Sequence, residues 1–171
     1  MQRHSYRLYI AACIFTSLLS ACGSGGGTDN ATEAVSLVDS ALSIAGQDTA
    51  SIGDSFKPVR VSTPQDQAAV LRIDWQSYNQ ATPAASDYLA EFSMLVDAQG
   101  VVEALAYHYE DHASGIEYNY LLDCVIPARC EPVNVDIAQK RISIIDLVLD
   151  NSLISPSQST SPVTFNGSLN W

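Results

Sequence analysis

Tyr88-Leu-Ala-Glu-Phe-Ser-Met-Leu-Val96, followed by Asp97-Ala98-Gln99-Gly100 and then Val101-Val-Glu-Ala-Leu-Ala-Tyr-His-Tyr109, is the stretch on which the fold turns. Its first arm places Tyr88, Ala90, Phe92, Met94 and Val96 on one side of an extended chain, the two-residue period of a half-buried strand. Gly100 supplies the left-handed conformation that closes a four-residue hairpin loop. The same stretch carries the main ambiguity. Pro83 to Leu95 holds enough Ala, Leu, Glu and Met to suit a helix, and a helix there would make the chain α+β.

The alternation continues on both sides. Ile116, Tyr118, Tyr120, Leu122 and Cys124 share one face of a strand whose other face carries Glu117, Asn119 and Asp123, with only Leu121 out of phase. Val133, Val135 and Ile137 pair across Ala138 to Arg141 with a strand that starts at Ile142. In that strand the apolar phase passes from Ile142 and Ile144 to Ile145, Leu147 and Leu149, which predicts a β-bulge. Val163, Phe165, Leu169 and Trp171 make the chain end on a strand. Weaker strands over Phe56 to Val61 and Ala69 to Trp75 bring the number to about eight. Short turns between consecutive strands predict a mainly β domain over residues 54–171, an antiparallel meander closed as a sandwich or small barrel. No internal repeat is present.

The formal charge is −11 over 171 residues. So acidic a surface repels phosphate backbones and excludes nucleic acid as a natural partner, and it disfavours anionic headgroups for the same reason. Residues 24 to about 53 are rich in Gly, Ser, Thr, Ala and Asp and read as a tether. Within it Val35, Leu37, Val38, Leu42 and Ile44 could line a short helix over Glu33 to Ile44.

The first 27 residues have the layout of a secretory signal. Arg3 and Arg7 form a positive start, and Leu8 to Leu19 form an apolar run too short to span a bilayer, which takes roughly 20 residues. Leu19-Ser20-Ala21-Cys22 then leads directly into Gly23-Ser24-Gly25-Gly26-Gly27. These four residues resemble the lipobox of bacterial lipoproteins. The resemblance covers only the targeting segment. It implies a signal peptide over 1–21, cleavage before Cys22, a diacylglycerol on the Cys22 thiol, and residues 22–53 as a lipidated tether. By analogy with enterobacterial lipoproteins, Gly23 in place of Asp favours the outer membrane, facing the periplasm. Loss of Arg3 and Arg7 with the signal leaves a mature chain of charge −13.

Of four cysteines, Cys13 leaves with the signal and Cys22 carries lipid. In an oxidising compartment Cys124 and Cys130 are then expected to form a disulfide that staples the loop containing Pro127.

Little chemistry is legible. A Gly-x-Ser-x-Gly elbow, a Ser-x-x-Lys pair, a His-Glu-x-x-His helix and a phosphate loop are all missing from the sequence, so no catalytic residue is assigned, no cofactor is expected, and a non-enzymatic role is favoured. His108, Glu110 and His112 are weak candidates for a divalent metal, because a spacing of four suits a helix better than a strand end. Tyr118 and Tyr120, with Tyr107 and Tyr109 on the neighbouring strand, are weak candidates for a ligand or protein surface. The preferred reading is a lipid-anchored envelope lipoprotein whose domain acts as an accessory or interaction module. The alternative is a small-molecule or metal-binding lipoprotein. Partners are the membrane, through Cys22, and another envelope protein.

Overall fold

A computed structural model describes residues 36–63, 70–124, 129–151 and 161–171, all within one compact unit. Ten strands form it: β1 (Ala41–Gly46), β2 (Ser55–Phe56), β3 (Arg60–Ser62), β4 (Val70–Ser77), β5 (Tyr88–Asp97), β6 (Val102–Asp111), β7 (Ile116–Asp123), β8 (Val133–Asp136), β9 (Arg141–Asn151) and β10 (Val163–Asn170). A single helical turn, α1 (Thr49–Ile52), and a 3₁₀ turn at Pro83–Ala85 complete the described elements. The strands are antiparallel in one curled sheet of order β2-β1-β10-β9-β7-β6-β5-β4-β3, with β8 paired to β9 off this path. The mainly β reading therefore holds.

The hairpin that decided the fold forms as expected. β5 and β6 pair from Tyr88↔Asp111 to Val96↔Val102, with one irregularity at Leu95/Val96. Asp97 caps the turn by accepting from the Gln99 and Val101 N–H groups at 2.8 Å each, and Gly100 sits at φ +84°. The helical alternative near residues 83–95 is overturned. Only Pro83–Ala85 turns, and Tyr88 onward is a strand between two partners, where ladder bonds on both edges and burial of Phe92, Met94 and Val96 outweigh local helix propensity.

The tether reading fails for residues 41–53. Ala41–Gly46 is a strand between β10 and β2, and Leu42, Ile44 and Ile52 lie in the core. The helix expected up to Ile44 is absent from residues 36–44, because alternation of Leu42 and Ile44 with Ser43 and Ala45 meets a free edge of β10. The expected strand over Phe56 to Val61 is split as well. Pro58 cannot donate a ladder bond, and β2 and β3 pair with β1 and β4 at opposite edges of the sheet. Lys57, Pro58 and Val59 thus span the seam of the curl, with Val59 N–H donating to Gln76 O at 2.8 Å.

The predicted bulge is present, one residue later than the apolar phase suggested. Phe165↔Leu147 is followed by Gly167↔Ile144, so β9 carries an extra residue around Ile145 and Asp146. Asp146 adopts φ +53° and its N–H donates to Asn166 Oδ1 at 2.7 Å. Ile144 and Leu147 stay buried while Ile145 turns outward, 70% exposed. On the partner strand Gly167 has φ +140°, and a Cβ there would collide with Ala41 O of β1. Only glycine lets β1 close on the bulged pair.

Cys124 and Cys130 are joined by a disulfide with a Cα–Cα distance of 5.6 Å, and both are buried against the core. In the chain-entropy model so short a ring contributes roughly 2 kcal/mol. Reduction is therefore expected to lower the melting temperature by several degrees while thermal unfolding stays cooperative; an unchanged melting curve would remove the disulfide from the list of stabilising contacts. The last strand carries more. Leu169 is fully buried, Trp171 nearly so, and Trp75 Nε1–H donates to Asn170 O at 2.6 Å. Truncation of a buried Trp alone costs about 3–5 kcal/mol, against a typical domain stability of roughly 5–15 kcal/mol. Deleting Leu169–Trp171 should therefore leave the chain largely unfolded at 25 °C in urea titrations followed by circular dichroism.

Candidate functional site

The two clusters singled out from the sequence lie on opposite faces of β6. Tyr107 and Tyr109 point into the curl with Tyr118 and Tyr120 of β7, while His108 and Glu110 point outward. Register enforces this, pairing Tyr107 with Tyr120, His108 with Asn119 and Tyr109 with Tyr118.

The inner tyrosines divide by depth. Tyr107 and Tyr120 are core residues, fully buried, with ring centroids 6.1 Å apart. The Tyr120 hydroxyl donates to Asp48 Oδ2 at 2.9 Å, tying β7 to the residue just before α1. Burial holds the Tyr107 hydroxyl far above the ordinary phenol range, with Tyr109 and Tyr88 adding to the effect. Burial raises Tyr120 too, followed by the hydrogen bond to Asp48 and its charge. Tyr88, Tyr109 and Tyr118 form a half-buried row at the mouth. Tyr88 stacks on Tyr109 at 5.8 Å and 13°, and Tyr109 meets Tyr118 at 6.4 Å and 63°. Tyr109 is raised by burial first and then by Asp111. Of the expected ligand pair, then, Tyr120 is structural and Tyr118 belongs to the row. Trp75 is fully buried against Phe92 and Trp171.

The outer cluster is held by its own neighbours. His108 Nδ1 lies 2.7 Å from Asn119 Oδ1. His112, in the β6–β7 turn, has Nδ1 2.6 Å from Ser86 O and Nε2 3.5 Å from Glu110 Oε2. The two imidazoles are thus committed to different strands and loops. Among the described residues no group of three His, Cys, Asp or Glu side chains stands close enough to hold a metal ion. Asp111 serves the same turn, accepting from Ala113 and Ser114 N–H groups, and hydrogen bonding by the Ser114 side chain first, then by these two N–H groups, holds its carboxyl below the usual carboxylate range.

Sequence reasoning missed a polar row on this outer face. Gln76 donates to Glu91 Oε2 at 2.8 Å, Ser93 Oγ donates to Asp74 Oδ1 at 2.8 Å and lies 3.3 Å from Glu91 Oε1, and Arg72 Nε donates to Asp74 Oδ1 at 2.9 Å. Asp74, Glu91 and Ser93 are buried. Each carboxylate keeps hydrogen-bond donors, which is what makes its burial tolerable. The signal in the sequence is the alternation Arg72, Asp74, Gln76 against Glu91, Ser93, but alternation alone does not show that such a face is covered. One open depression, about 680 Å³, lies elsewhere, over β8 and the start of β9 between Asn134, Asp136, Arg141 and Ser143. Cys22 lies outside the described residues, and among these no helix is long and apolar enough to cross a membrane.

Both buried phenols stay protonated in the folded chain at pH values where unfolded tyrosines, with pKa near 10, ionise. The unfolded state then binds fewer protons, so stability falls as pH rises above about 10, by ~1.4 kcal/mol per pH unit for each of the two. Tyr120→Phe keeps the ring, removes one of these contributions and leaves the buried Asp48 carboxylate without its donor, at a cost of about 1–3 kcal/mol at pH 7. Urea denaturation from pH 7 to 11.5 should show the variant less stable at pH 7 yet less steeply destabilised above pH 10.

Set against known proteins, the chain matches no family model, no curated protein and no solved structure.

Proposed function

We propose that this chain is a lipid-anchored envelope lipoprotein whose β domain is a non-catalytic accessory or interaction module. The observation that carries the reading is Leu19-Ser20-Ala21-Cys22 at the end of a twelve-residue apolar run and ahead of a glycine-rich segment. Each acyl methylene buried in a bilayer contributes about 0.8 kcal/mol, so two or three chains on Cys22 make a lasting anchor where one does not. The mature chain's acidity adds no attraction to anionic headgroups, which leaves the lipid as the source of attachment. It also favours neutral or cationic partners. The interior supports a binding or structural role over a catalytic one: Trp75, Phe92, Tyr107, Tyr120 and Phe165 fill the curl with rings, and the polar groups of the outer face serve each other.

The test is labelling of the expressed chain with radioactive palmitate, with mass spectrometry of its N-terminal peptide and a Cys22→Ala control. The expected outcome is a diacylglyceryl-modified Cys22 as the first residue and a membrane-pelleted protein, both lost in the control. An unmodified Cys22 would overturn the anchor. In-cell crosslinking followed by affinity purification then tests the accessory role, for which a partner that disappears with Cys22→Ala is the expected result. A lipidated chain with no partner shifts the reading to ligand binding.

A further inference from the structure

Strand direction places a distinctive set of segments at one end of the domain. β1 and β9 start there and β8 and β10 end there, since Ala41↔Ser168, Asn170↔Arg141 and Asp136↔Arg141 are paired. The β5–β6 turn joins them, as an added Cβ on Gly100 would stand 3.5 Å from Ile137 Cγ1. Hydrogen bonds link the rest of the rim: Trp171 N–H donates to Lys140 O at 2.9 Å, Asn170 N–H to Ser40 Oγ at 2.9 Å, and Asn170 Nδ2 to Ser36 O at 3.3 Å. The turn Leu37–Ser40, closed by Ser40 N–H on Leu37 O at 2.9 Å, lies in the same rim.

Three of these turns carry an aliphatic side chain out into solvent. Val38 is 88% exposed, Val101 56% and Ile137 46%. Turn tips are ordinarily polar, and β-branched residues suit them poorly. At the opposite end, with the β6–β7 turn and the start of β10, Ile116 at 40% is the turn-flanking aliphatic residue of comparable exposure, while Val148 at 47% lies within the β9 strand opposite Thr164 rather than on a turn. Two carboxylates at the apolar end are turned to local use, Asp97 on the β5–β6 turn and Asp136 on Gln139 N–H at 2.9 Å.

The direction of the chain identifies what covers this end. Ser36 is in the rim, and Cys22 is 14 residues before it. A random coil of that length spans roughly 20 Å on average, whereas β6 alone, ten residues long, extends for about 33 Å. A lipid anchor on Cys22, joined through a chain that behaves as such a coil, would hold the Val38 end nearer the bilayer than the Ile116 end. We propose that the rim formed by Val38, Val101 and Ile137 is a membrane-apposed face, its aliphatic tips entering the interface of a zwitterionic bilayer and fixing the domain upright on it. The proposal rests on the lipoprotein reading. Three small side chains are insufficient to recruit the protein alone; they set orientation once the lipid has supplied proximity.

The test uses the full lipidated chain reconstituted in phosphatidylethanolamine–phosphatidylcholine vesicles. With Cys22 acylated and Cys124 bridged to Cys130, a cysteine introduced as Val101→Cys or Ala113→Cys is the single free thiol for a fluorophore, one at each end. Quenching by a doxyl-labelled lipid is expected to be at least threefold stronger at position 101 than at 113. Adding Val38→Asp and Ile137→Asp, both at exposed tips, should bring position 101 down to the level of 113 while the acylated peptide is still found by mass spectrometry. Equal quenching at the two ends with lipid present overturns the orientation and leaves the anchor standing. Shielding of position 101 from iodide without quenching by doxyl lipid means that a protein covers the rim, and also overturns it. An unacylated Cys22 overturns both readings.

Discussion

Phe165 holds the two halves of the sheet together. The strands β2, β1, β10 and β9 with β8 form one half and β7 to β3 the other, and among the described residues strand pairing between them is limited to Tyr120↔Asn151 and Leu121↔Asp150. Two residue pairs do not fix the angle between half-sheets. The angle is set by side chains, and Phe165 of β10 is central, meeting Phe92 at 5.6 Å and Tyr107 at 5.1 Å, both edge-on. Phe56 reaches the same two partners from β2. Edge-to-face contacts of this kind are worth roughly 0.5–1.5 kcal/mol each beyond the area they bury. Because they are directional they also specify one curvature for the sheet. The Tyr120–Asp48 bond and the Trp75–Asn170 bond act across the same interior, each joining a strand of one half to the other half.

The bulge in β9 follows from that geometry. A strand of eleven residues must present Ile142 and Ile144 to the core beside β8, then Leu147 and Leu149 beside the start of β10. A regular strand that bends so strongly would lose its inward phase. The extra residue restores it, at the cost of exposing Ile145 and placing Asp146 in a left-handed conformation that Asn166 compensates through its side-chain oxygen. Gly167 is needed on the facing strand because β1 approaches where the twist is greatest.

What was legible in the sequence was periodicity. The strands around Phe92 and Phe165 alternate, the one around Tyr120 does so but for Leu121, the one around Ile142 does so on either side of its phase change, and Gly100 marks the turn between β5 and β6. Two elements were hidden. The strand Ala41–Gly46 has only two inward residues, in a segment whose Ser, Ala and Gly content resembles linker; its strand character comes from the free edge of β10, which no local window contains. The division between β2 and β3 was marked by Pro58, but a proline says only that a ladder stops there, not that its two sides join opposite edges. The candidate sites show the same boundary. Spacing put His108, Glu110 and His112 within five residues, yet strand geometry sends His108 to Asn119 and His112 to Ser86. Pairing of the tyrosines was readable from the hairpin, whereas the difference in depth between Tyr120 and Tyr118 depended on Asp48, seventy-two residues away.

Charge distribution gives the domain its external character. From Ile73 to Ala128 the sequence holds no Lys or Arg, against nine carboxylates, and this stretch supplies four adjacent strands of the sheet. Within it Glu110 and Glu117 are directly opposite each other, a cross-strand arrangement that is normally unfavourable, and His112 Nε2 stands 3.5 Å from Glu110 Oε2. A half-sheet with so little internal neutralisation keeps its negative potential on the outside. That potential repels phosphate-bearing surfaces and other copies of the same half-sheet, and it attracts cationic surfaces over distances up to the Debye length, about 8 Å at physiological salt. For a chain held at a membrane the consequence is geometric. Broad contact between the acidic half-sheet and anionic headgroups is unfavourable, whereas standing on the turn tips of Val38, Val101 and Ile137 brings aliphatic groups to the surface and leaves the exposed Glu117 of β7 facing solution.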